Sequence, residues 1–316
     1  WTHRGGSSSS ERAGRSERLL FLRFVMRLSL RSALGLWAAA VVPLIAAACR
    51  GSRRDATTTR VVCVSNQLNE FLYAVGAQNV LVARDLTSIY TPALTSLPSV
   101  GYHRALSAEG IISMRPTLFL TDGNVGPDAV LAQLKKVGIP IEVMAPGESL
   151  DSAESLLARV GARFHREATA DSVLARWKAG MDSVWADTAR WAGTSRPRVL
   201  IMHFGQIAND YLAVNRGGPA DLMIQWAGGT NAVDKLGGMT RLTPELIARA
   251  APDVIIATDV GFDRVGSAAA FAKLPGVSLT PAARSGRIYR LDETQIMYFG
   301  PRTPASVQAI ASLLHP

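Results

Sequence analysis

The sequence predicts an α/β fold of two similar lobes, each with a mostly parallel central sheet flanked by helices, and a ligand cleft between them. Short apolar runs alternate with amphipathic helical patterns from Arg60 onwards, which is typical of parallel strands joined by helical crossovers. A strand-free stretch interrupts the alternation, which restarts near residue 197. A chain of 316 residues, 48% hydrophobic and 19% charged, is long enough for two globular domains.

The first lobe is predicted over residues 60–149. Its strands are expected where β-branched and other apolar residues run together between turn-forming residues. In chain order these strands are RVVCVSN, NVLVARD, PTLFLTD and PIEVMAP. Helices are expected where apolar residues recur at helical spacing. They are LNEFLYAVGA, which ends at Gly76, and GPDAVLAQLKKVG.

The second lobe is predicted over residues 197–316, and residues 150–196 are predicted to join the lobes. Apolar residues of the joining segment recur at helical spacing without a strand pattern, so a rigid helical connector with little hinge bending is expected. The second-lobe strands are RPRVLIMHFG, YLAV, PDVIIATD and GRIYRLD, with a helix at GPADLMIQWAGG. A cleft between two such lobes is a natural ligand site.

Three pairs of segments recur in the same order in the two halves, which is why the lobes are expected to share one build. In LSAEGIISMRPTLFL and LTPELIARAAPDVII, a hydroxyl residue is followed by Glu two positions on and by Pro seven positions after the Glu. The other pairs are LYAVGAQNV with IQWAGGTNAV, and RVVCV with RVLIM. The repetition indicates two lobes of similar topology.

The N-terminal segment has the pattern of an export signal. From Met26, a positive stretch precedes an apolar run and small residues that end at Cys49. Residues 26–49 resemble a bacterial lipoprotein signal, which implies a lipidated Cys49 and a periplasmic or cell-envelope location; simple cleavage and a retained anchor are the alternatives. Residues 1–25 are interpreted as an upstream, non-native segment, and residues 50–59 as a flexible tether.

The positive charge of the chain is concentrated in this leader. Residues 1–55 carry ten arginines and three acidic residues, whereas residues 56–316 carry 24 basic and 22 acidic groups. The folded body also lacks runs of basic residues interleaved with aromatic ones. Binding of nucleic acid is therefore not expected, despite the net charge of +9.

The sequence contains no recognisable catalytic motif. It lacks a Gly-x-Ser-x-Gly elbow, a P-loop and a His-Glu-x-x-His pair, and its glycine pairs do not follow the dinucleotide-binding pattern. Residues of the zinc-binding types do not cluster at ligand spacing, and Cys63 in VVCV is expected to be a buried thiol. A binding protein without a catalytic cofactor is therefore favoured over an enzyme.

The loop around VGYHRALSAEG carries the strongest signal for binding. It follows a strand–helix–strand unit and precedes a helix, so it is expected at the ligand-facing edge of the lobe. The oxygen of Tyr102 is, once deprotonated, a hard ligand suited to ferric iron. Arg104 can stabilise that phenolate by a charge-assisted hydrogen bond. The alternative is a surface tyrosine whose hydroxyl faces water.

Four segments together resemble the periplasmic haem-binding proteins of bacterial haem ABC importers. They are LPSVGYHRALSAEG with MRPTLFL, AVNRGGPADLMIQWAGGTNAVD, LTPELIARAAPDVII and FGPRTPASV. The resemblance extends over about residues 60–316, and the wider group includes binders of vitamin B12 and of siderophores. It implies capture of haem as a transported ligand and delivery to an ABC permease dimer. A corrinoid or a ferric siderophore is the alternative ligand.

The resemblance implies roles for residues on both sides of the cleft. Tyr102 matches the axial tyrosine ligand of haem iron, and Arg104 matches the arginine that hydrogen-bonds to it. His203 matches a histidine that some members use as a second ligand, although Phe204 stands where the family usually has glycine. His203 is therefore expected either to ligate iron or to bond within its own lobe.

Four further residues are candidates for contact with the ligand. Arg241 lies where relatives often carry a basic residue, so it is expected to pair with a haem propionate or to face the iron. His103 is expected at the rim of the cleft, with iron ligation as the second option. Asn215 and Arg216 are expected to help close the second-lobe face.

Glu109 and Glu245 hold equivalent positions in the two half-repeats. Ser107 and Thr243 are expected to cap the helices that follow, which places each glutamate in a first helical turn. The resemblance implies that the two glutamates dock onto arginines of the two permease subunits, and a pseudo-symmetric pair suits a two-fold partner. Stabilisation of the helix dipole alone is the alternative.

Overall fold

The computed structural model describes residues 59–191, 193, 195–206 and 209–316. The predicted upstream segment 1–25, the export signal 26–49 with Cys49, and residues 50–58 of the predicted tether lie outside the described residues. Within the described part, no helix combines the length and the apolar character needed to cross a membrane.

The described residues of the first lobe contain a four-stranded parallel sheet in the order β2-β1-β3-β4. The strands are β1 Val61–Val64, β2 Leu81–Arg84, β3 Leu118–Thr121 and β4 Ile141–Val143. Both central strands, β1 and β3, are buried along their whole length. Continuous burial explains why these strands are apolar except at Thr121, since helices cover both faces of a parallel sheet.

Four α-helices lie in the described part of this lobe. They are α1 Asn66–Ala74, α2 Pro92–Thr95, α3 Ala108–Ser113 and α4 Asp128–Lys136. The side chains of Ser65, Thr91 and Ser107 accept hydrogen bonds from backbone N–H groups in the first turns of α1, α2 and α3. These bonds satisfy groups that have no partner inside the helix.

Two helices span most of the predicted connector: α5 Leu150–Arg163 and α6 Glu167–Arg190. The ring of Trp177 on α6 is buried and meets Phe71 of α1 edge to face, with ring centroids 6.3 Å apart. One hydrophobic cluster contains residues of the first sheet, both connector helices and the second sheet. The three parts therefore share one packed core, and the stiffness of the connector stays a prediction.

The described residues of the second lobe form a six-stranded sheet in the order β10-β9-β5-β6-β8, with β7 beside β5. The strands are β5 Arg198–Gly205, β6 Asp210–Val214, β7 Thr230–Asn231, β8 Met239–Arg241, β9 Val254–Thr258 and β10 Ile288–Leu291. Strands β7, β9 and β10 run parallel to their partners, whereas β6 and β8 are antiparallel. The connection between β5 and β6 is too short for a parallel crossover.

The helices of the second lobe are mostly short. They are α7 Pro219–Trp226, α8 Pro244–Ala250, α9 Asp259–Asp263, α10 Ala268–Phe271, α11 Pro281–Ser285 and α12 Thr303–Leu314. Proline stands in the first turn of α7, α8, α11 and α12, where its missing N–H costs no helical hydrogen bond. The two-lobed α/β fold predicted from the sequence is confirmed.

Candidate ligand-binding cleft

A cleft of about 500 Å³ lies between the two lobes. The first lobe contributes residues at the ends of its strands and in the loops that follow, among them Ser65, Asp85 and Asp122. The second lobe contributes the end of β5 and the turn after β10. Carboxyl ends of parallel strands commonly form ligand sites in α/β folds, so the topology places this cleft where binding is expected.

The loop before α3 brings Tyr102, His103 and Arg104 to the cleft. Its backbone is held on both sides: the Gly101 carbonyl accepts from Leu86 N–H at 2.8 Å, and the His103 carbonyl accepts from Gly126 N–H at 2.9 Å. Gly101 has a φ of 101°, a conformation that glycine adopts without strain. The three side chains are therefore presented by an anchored turn.

Burial sets the protonation of the two aromatic residues in this loop. The rings of Tyr102 and His103 lie with centroids 4.3 Å apart. Burial raises the pKa of Tyr102 above its usual value, and Arg104 opposes that effect. Burial lowers the pKa of His103, while the negative charge of Asp85 opposes this shift. Arg104 thus acts in the predicted direction but does not outweigh burial, and the free protein holds a phenol beside a neutral imidazole at neutral pH.

His203 faces this loop from the second lobe. It lies on β5 opposite Leu212 of β6, and both residues line the cleft. The His203 side chain is 16% exposed, and its Nδ1 lies 3.4 Å from Oε2 of Glu293. Tyr102, His103, Arg104 and His203 thus line one cleft, and their roles in binding stay predictions.

Phe204, which stands where the resembling family usually has glycine, lines the cleft and packs its ring against residues of its own lobe. Its ring meets that of Tyr211 edge to face at 5.2 Å between centroids. The guanidinium of Arg264 lies 4.3 Å from the centre of the Phe204 ring. The larger residue is therefore accommodated by packing within its own lobe.

Arg241, Asn215 and Arg216 are not among the described residues that line the cleft. Arg241 is ion-paired with Asp210, and its side chain is 78% exposed. Asn215 is buried, and its amide donates to the Gly237 carbonyl at 2.7 Å. Arg216 is exposed and follows Asn215 directly, just after the end of β6. The structure does not bring these three residues together with Tyr102, and their contact with a ligand stays a prediction.

Several cleft residues have no counterpart among the predicted ones. Asp85 is buried, and its carboxylate accepts from the Thr87 N–H at 2.9 Å and from the Ser88 hydroxyl. Asp122 follows β3, and Glu293 lies in the turn after β10. The two aspartates each end an apolar strand pattern, NVLVARD and PTLFLTD. Their place at the carboxyl ends of parallel strands could therefore have been predicted from the sequence. Glu293 follows no such pattern.

The base of the cleft links the two lobes through hydrogen bonds. Gln67 and Tyr298 both line it. The Gln67 amide donates to the Phe299 carbonyl at 2.8 Å, and the Tyr298 hydroxyl donates to Oε2 of Glu70 at 3.0 Å. Gln67 and Tyr298 thus line the cleft, and each is hydrogen-bonded to the opposite lobe.

A family model described as a periplasmic binding protein matches residues 61–294. The chain belongs to the periplasmic binding protein family. The match includes both sheets and most of the residues that line the cleft.

Known proteins resemble this periplasmic binding protein in structure or in sequence. The apo structure of the periplasmic haem-binding protein RhuT from Roseiflexus sp. RS-1 is 31% identical, with a TM-score of 0.74 over 82% of this chain and 98% of that one. The structure of the periplasmic haem-binding protein BhuT in complex with two haems is 32% identical, with a TM-score of 0.72 over 81% and 97% of the two chains. An uncharacterized ABC transporter substrate-binding lipoprotein of Bacillus subtilis strain 168, YvrC, is 22% identical over 260 residues, or 81% of this chain and 80% of its own.

In this periplasmic binding protein, Glu109 and Glu245 occupy matching places on the two lobes. Each is exposed in the first turn of its helix, α3 or α8. The cap of α3 is Ser107, which accepts from Gly110 N–H, and the cap of α8 is Thr243, which accepts from Leu246 N–H. Hydrogen bonds from its own backbone and from Thr243 lower the pKa of Glu245. Each lobe thus presents one exposed glutamate in the first turn of a capped helix.

Proposed function

We propose that this protein captures haem in its interlobe cleft and delivers it to an ABC permease in the inner membrane. The observation that carries the proposal is the anchored Tyr102–His103–Arg104 turn, which faces His203 across a cleft of about 500 Å³. The volume is in the range of small-molecule sites. The likeness to haem-binding RhuT and BhuT, at 31% and 32% identity, supports the same ligand.

Tyr102 would supply the oxygen ligand to ferric iron. A phenolate is a recognised axial ligand of haem, and the positive charge of Arg104 favours the ionised form. Because burial raises the pKa of Tyr102 in the free protein, ligation of iron would release its proton. The site would therefore exchange a partly buried phenol for an iron-bound phenolate stabilised by the neighbouring guanidinium.

Apolar side chains of the cleft would cover the porphyrin faces. Val64 and Pro146 of the first lobe and Leu212, Met239 and Met297 of the second line the same space. Met239 is 38% exposed, which leaves apolar surface available to a flat hydrophobic ligand. A polar siderophore would leave these walls uncovered, and a corrinoid would make no use of a tyrosine next to an arginine.

Transport would require no chemical turnover. The protein would bind its ligand, dock through Glu109 and Glu245, and release the ligand to the permease. The membership of the periplasmic binding protein family supports a location outside the cytoplasm, and the lipoprotein relative YvrC supports attachment through Cys49. Both the lipid anchor and the docking glutamates are part of the proposal.

Titration of residues 50–316 with ferric haem tests the proposal directly. We expect a saturable change in the haem absorption spectrum, and its end point gives the number of haems per cleft. Cyanocobalamin and a ferric hydroxamate siderophore serve as competing ligands at equal concentration. A saturable signal with either competitor and none with haem would contradict the proposed ligand.

A further inference from the structure

One nitrogen of His203 is buried without a hydrogen bond to any described residue. This atom, Nδ1, has almost no solvent exposure, whereas the ring as a whole lines the cleft. Oε2 of Glu293 lies 3.4 Å away, within ion-pair range but outside good hydrogen-bond geometry. Because Nδ1 is buried, Nε2 is the ring nitrogen that a ligand in the cleft can reach, and Glu293, itself a cleft residue, lies on the Nδ1 side of the ring.

Glu293 is held in place by the turn in which it lies. Its backbone N–H donates to Oδ1 of Asp259 at 3.3 Å, and its carbonyl accepts from Met297 N–H at 3.1 Å. The next residue, Thr294, is fixed by Asp292 through both its N–H and its hydroxyl, at 2.8 and 2.7 Å. The carboxylate thus projects from an anchored turn, which keeps it beside His203.

A neutral imidazole binds a metal through one nitrogen only if the other nitrogen carries the proton. A carboxylate that accepts the Nδ1 proton fixes this tautomer, orients the ring and makes Nε2 a stronger donor. We propose that Glu293 is a positioning residue that holds the Nδ1 proton of His203, so that Nε2 is presented to the iron of the bound ligand. The inference rests on the proposed function, because the iron is the haem iron.

The relationship joins two elements of the second lobe that are not neighbours in its sheet. His203 lies on β5 and Glu293 in the turn after β10, with β9 between the two strands. The Glu293 side chain is 25% exposed, which is low enough to weaken competition from water. A small shift of either side chain would convert the 3.4 Å contact into a charge-assisted hydrogen bond.

The tautomer of His203 tests the proposal without any ligand. In protein labelled with ¹⁵N-histidine, two-bond ¹H–¹⁵N spectra distinguish the Nδ1–H form from the Nε2–H form, and His203→Gln assigns the signals. We expect Nδ1–H in the parent, retention in Glu293→Gln, whose amide oxygen still accepts, and a shift towards Nε2–H in Glu293→Ala. Glu142→Ala, which removes a surface partner of Arg163, is the matched control. An unchanged tautomer in Glu293→Ala would overturn the proposal.

The haem-bound protein provides a second, separate test. Glu293→Ala is expected to reduce the low-spin, six-coordinate fraction of the ferric spectrum and to weaken haem binding about tenfold. The double variant with His203→Ala should match His203→Ala alone, since the glutamate acts through the histidine. A parent-like spectrum in Glu293→Ala beside a changed spectrum in His203→Ala would contradict the proposal. If the parent itself binds no haem, the proposed function fails, while the tautomer still decides the role of Glu293.

Discussion

Arg302 of the second lobe makes a two-point contact with the buried carboxylate of Glu70 in the first lobe. Its Nε lies 3.1 Å from Oε1, and its Nη2 lies 2.7 Å from Oε2. The Glu70 side chain is 2% exposed, and the Arg302 guanidinium also lies 4.5 Å from the centre of the Tyr90 ring. Hydrogen bonding to Glu70 raises the pKa of Arg302, although burial opposes this. The pair therefore fastens α1 to the start of α12, next to the cleft.

Arg302→Met is expected to lower the free energy of unfolding by about 3–5 kcal/mol, because it leaves the charge of Glu70 buried without its partner. Equilibrium unfolding in urea measures the change. Arg290→Met is the matched control: its partner is Asp263, and both side chains are about half exposed. The control should cost less than about 1 kcal/mol. Equal losses in the two variants would show that the buried pair has no special role.

The strands of the two sheets were predictable because their apolar runs are continuous. In β1, β3 and β9 every residue is buried. Each of these strands therefore appears in the sequence as a short block of mostly apolar residues between turn residues. The same signal failed for α9, α10 and α11, since helices of four or five residues are too short to show helical periodicity. Local sequence patterns therefore predict the strands of the sheets but not the short helices.

In the candidate site, residues that are close in the chain were predictable together, whereas contacts between distant residues were not. Tyr102 and Arg104 are neighbours in the chain, so one motif indicates both. Glu293 and His203 are 90 positions apart, and Glu70 and Arg302 are 232 positions apart. Their pairing depends on the order of strands in the sheets and on the meeting of the lobes, which no local pattern encodes. Contacts between distant segments therefore needed the three-dimensional structure.

Tyr102→Phe is expected to remove the oxygen ligand while keeping the ring that packs on His103. The ferric haem spectrum should lose its tyrosinate features, and the affinity for haem should fall at least about tenfold. Tyr211→Phe, which removes a hydroxyl that donates to the Gly261 carbonyl outside the cleft, is the control. The ligand assignment would be wrong if Tyr102→Phe and Tyr211→Phe gave the same haem spectrum.

Cys63 should make stability fall at alkaline pH. Burial raises the pKa of this thiol well above its usual value, and the charges of Asp85 and Asp122 add to the effect. Since the unfolded thiol ionises near pH 8.5, the thiol contributes its full stabilisation below that pH and loses it as the pH rises towards the folded pKa. Above about pH 8.5, the parent should lose about 1.4 kcal/mol per pH unit more than Cys63→Ala.

The measurement of this pH effect is a series of urea unfolding curves between pH 7 and 10. Both proteins carry Cys49→Ser. Cys63 is then the remaining thiol of the protein that keeps it. An aromatic disulfide reagent should label Cys63 only when the protein unfolds, because the side chain has no solvent exposure. Parallel curves for the two proteins, or rapid labelling of the native state, would contradict the prediction.

Glu109 and Glu245 should affect delivery and not capture. Both side chains are exposed at helix N-termini away from the residues that line the cleft, so Glu109→Arg and Glu245→Arg should leave haem affinity unchanged. Each reversal is expected to weaken association with the permease by about thirtyfold or more, since it replaces an attractive charge pair with a repulsive one. Stimulation of permease ATPase activity in proteoliposomes measures the association.

The matched control for docking is Glu167→Arg, which reverses an exposed glutamate in the first turn of the connector helix α6. It changes the net charge and the helix terminus in the same way as the docking variants, so a loss confined to Glu109 and Glu245 isolates their position on the lobes. Because the two residues come from equivalent half-repeats, their single variants should be equally defective. A defect in only one of them, or an equal defect in Glu167→Arg, would rule out a paired contact with a two-fold partner.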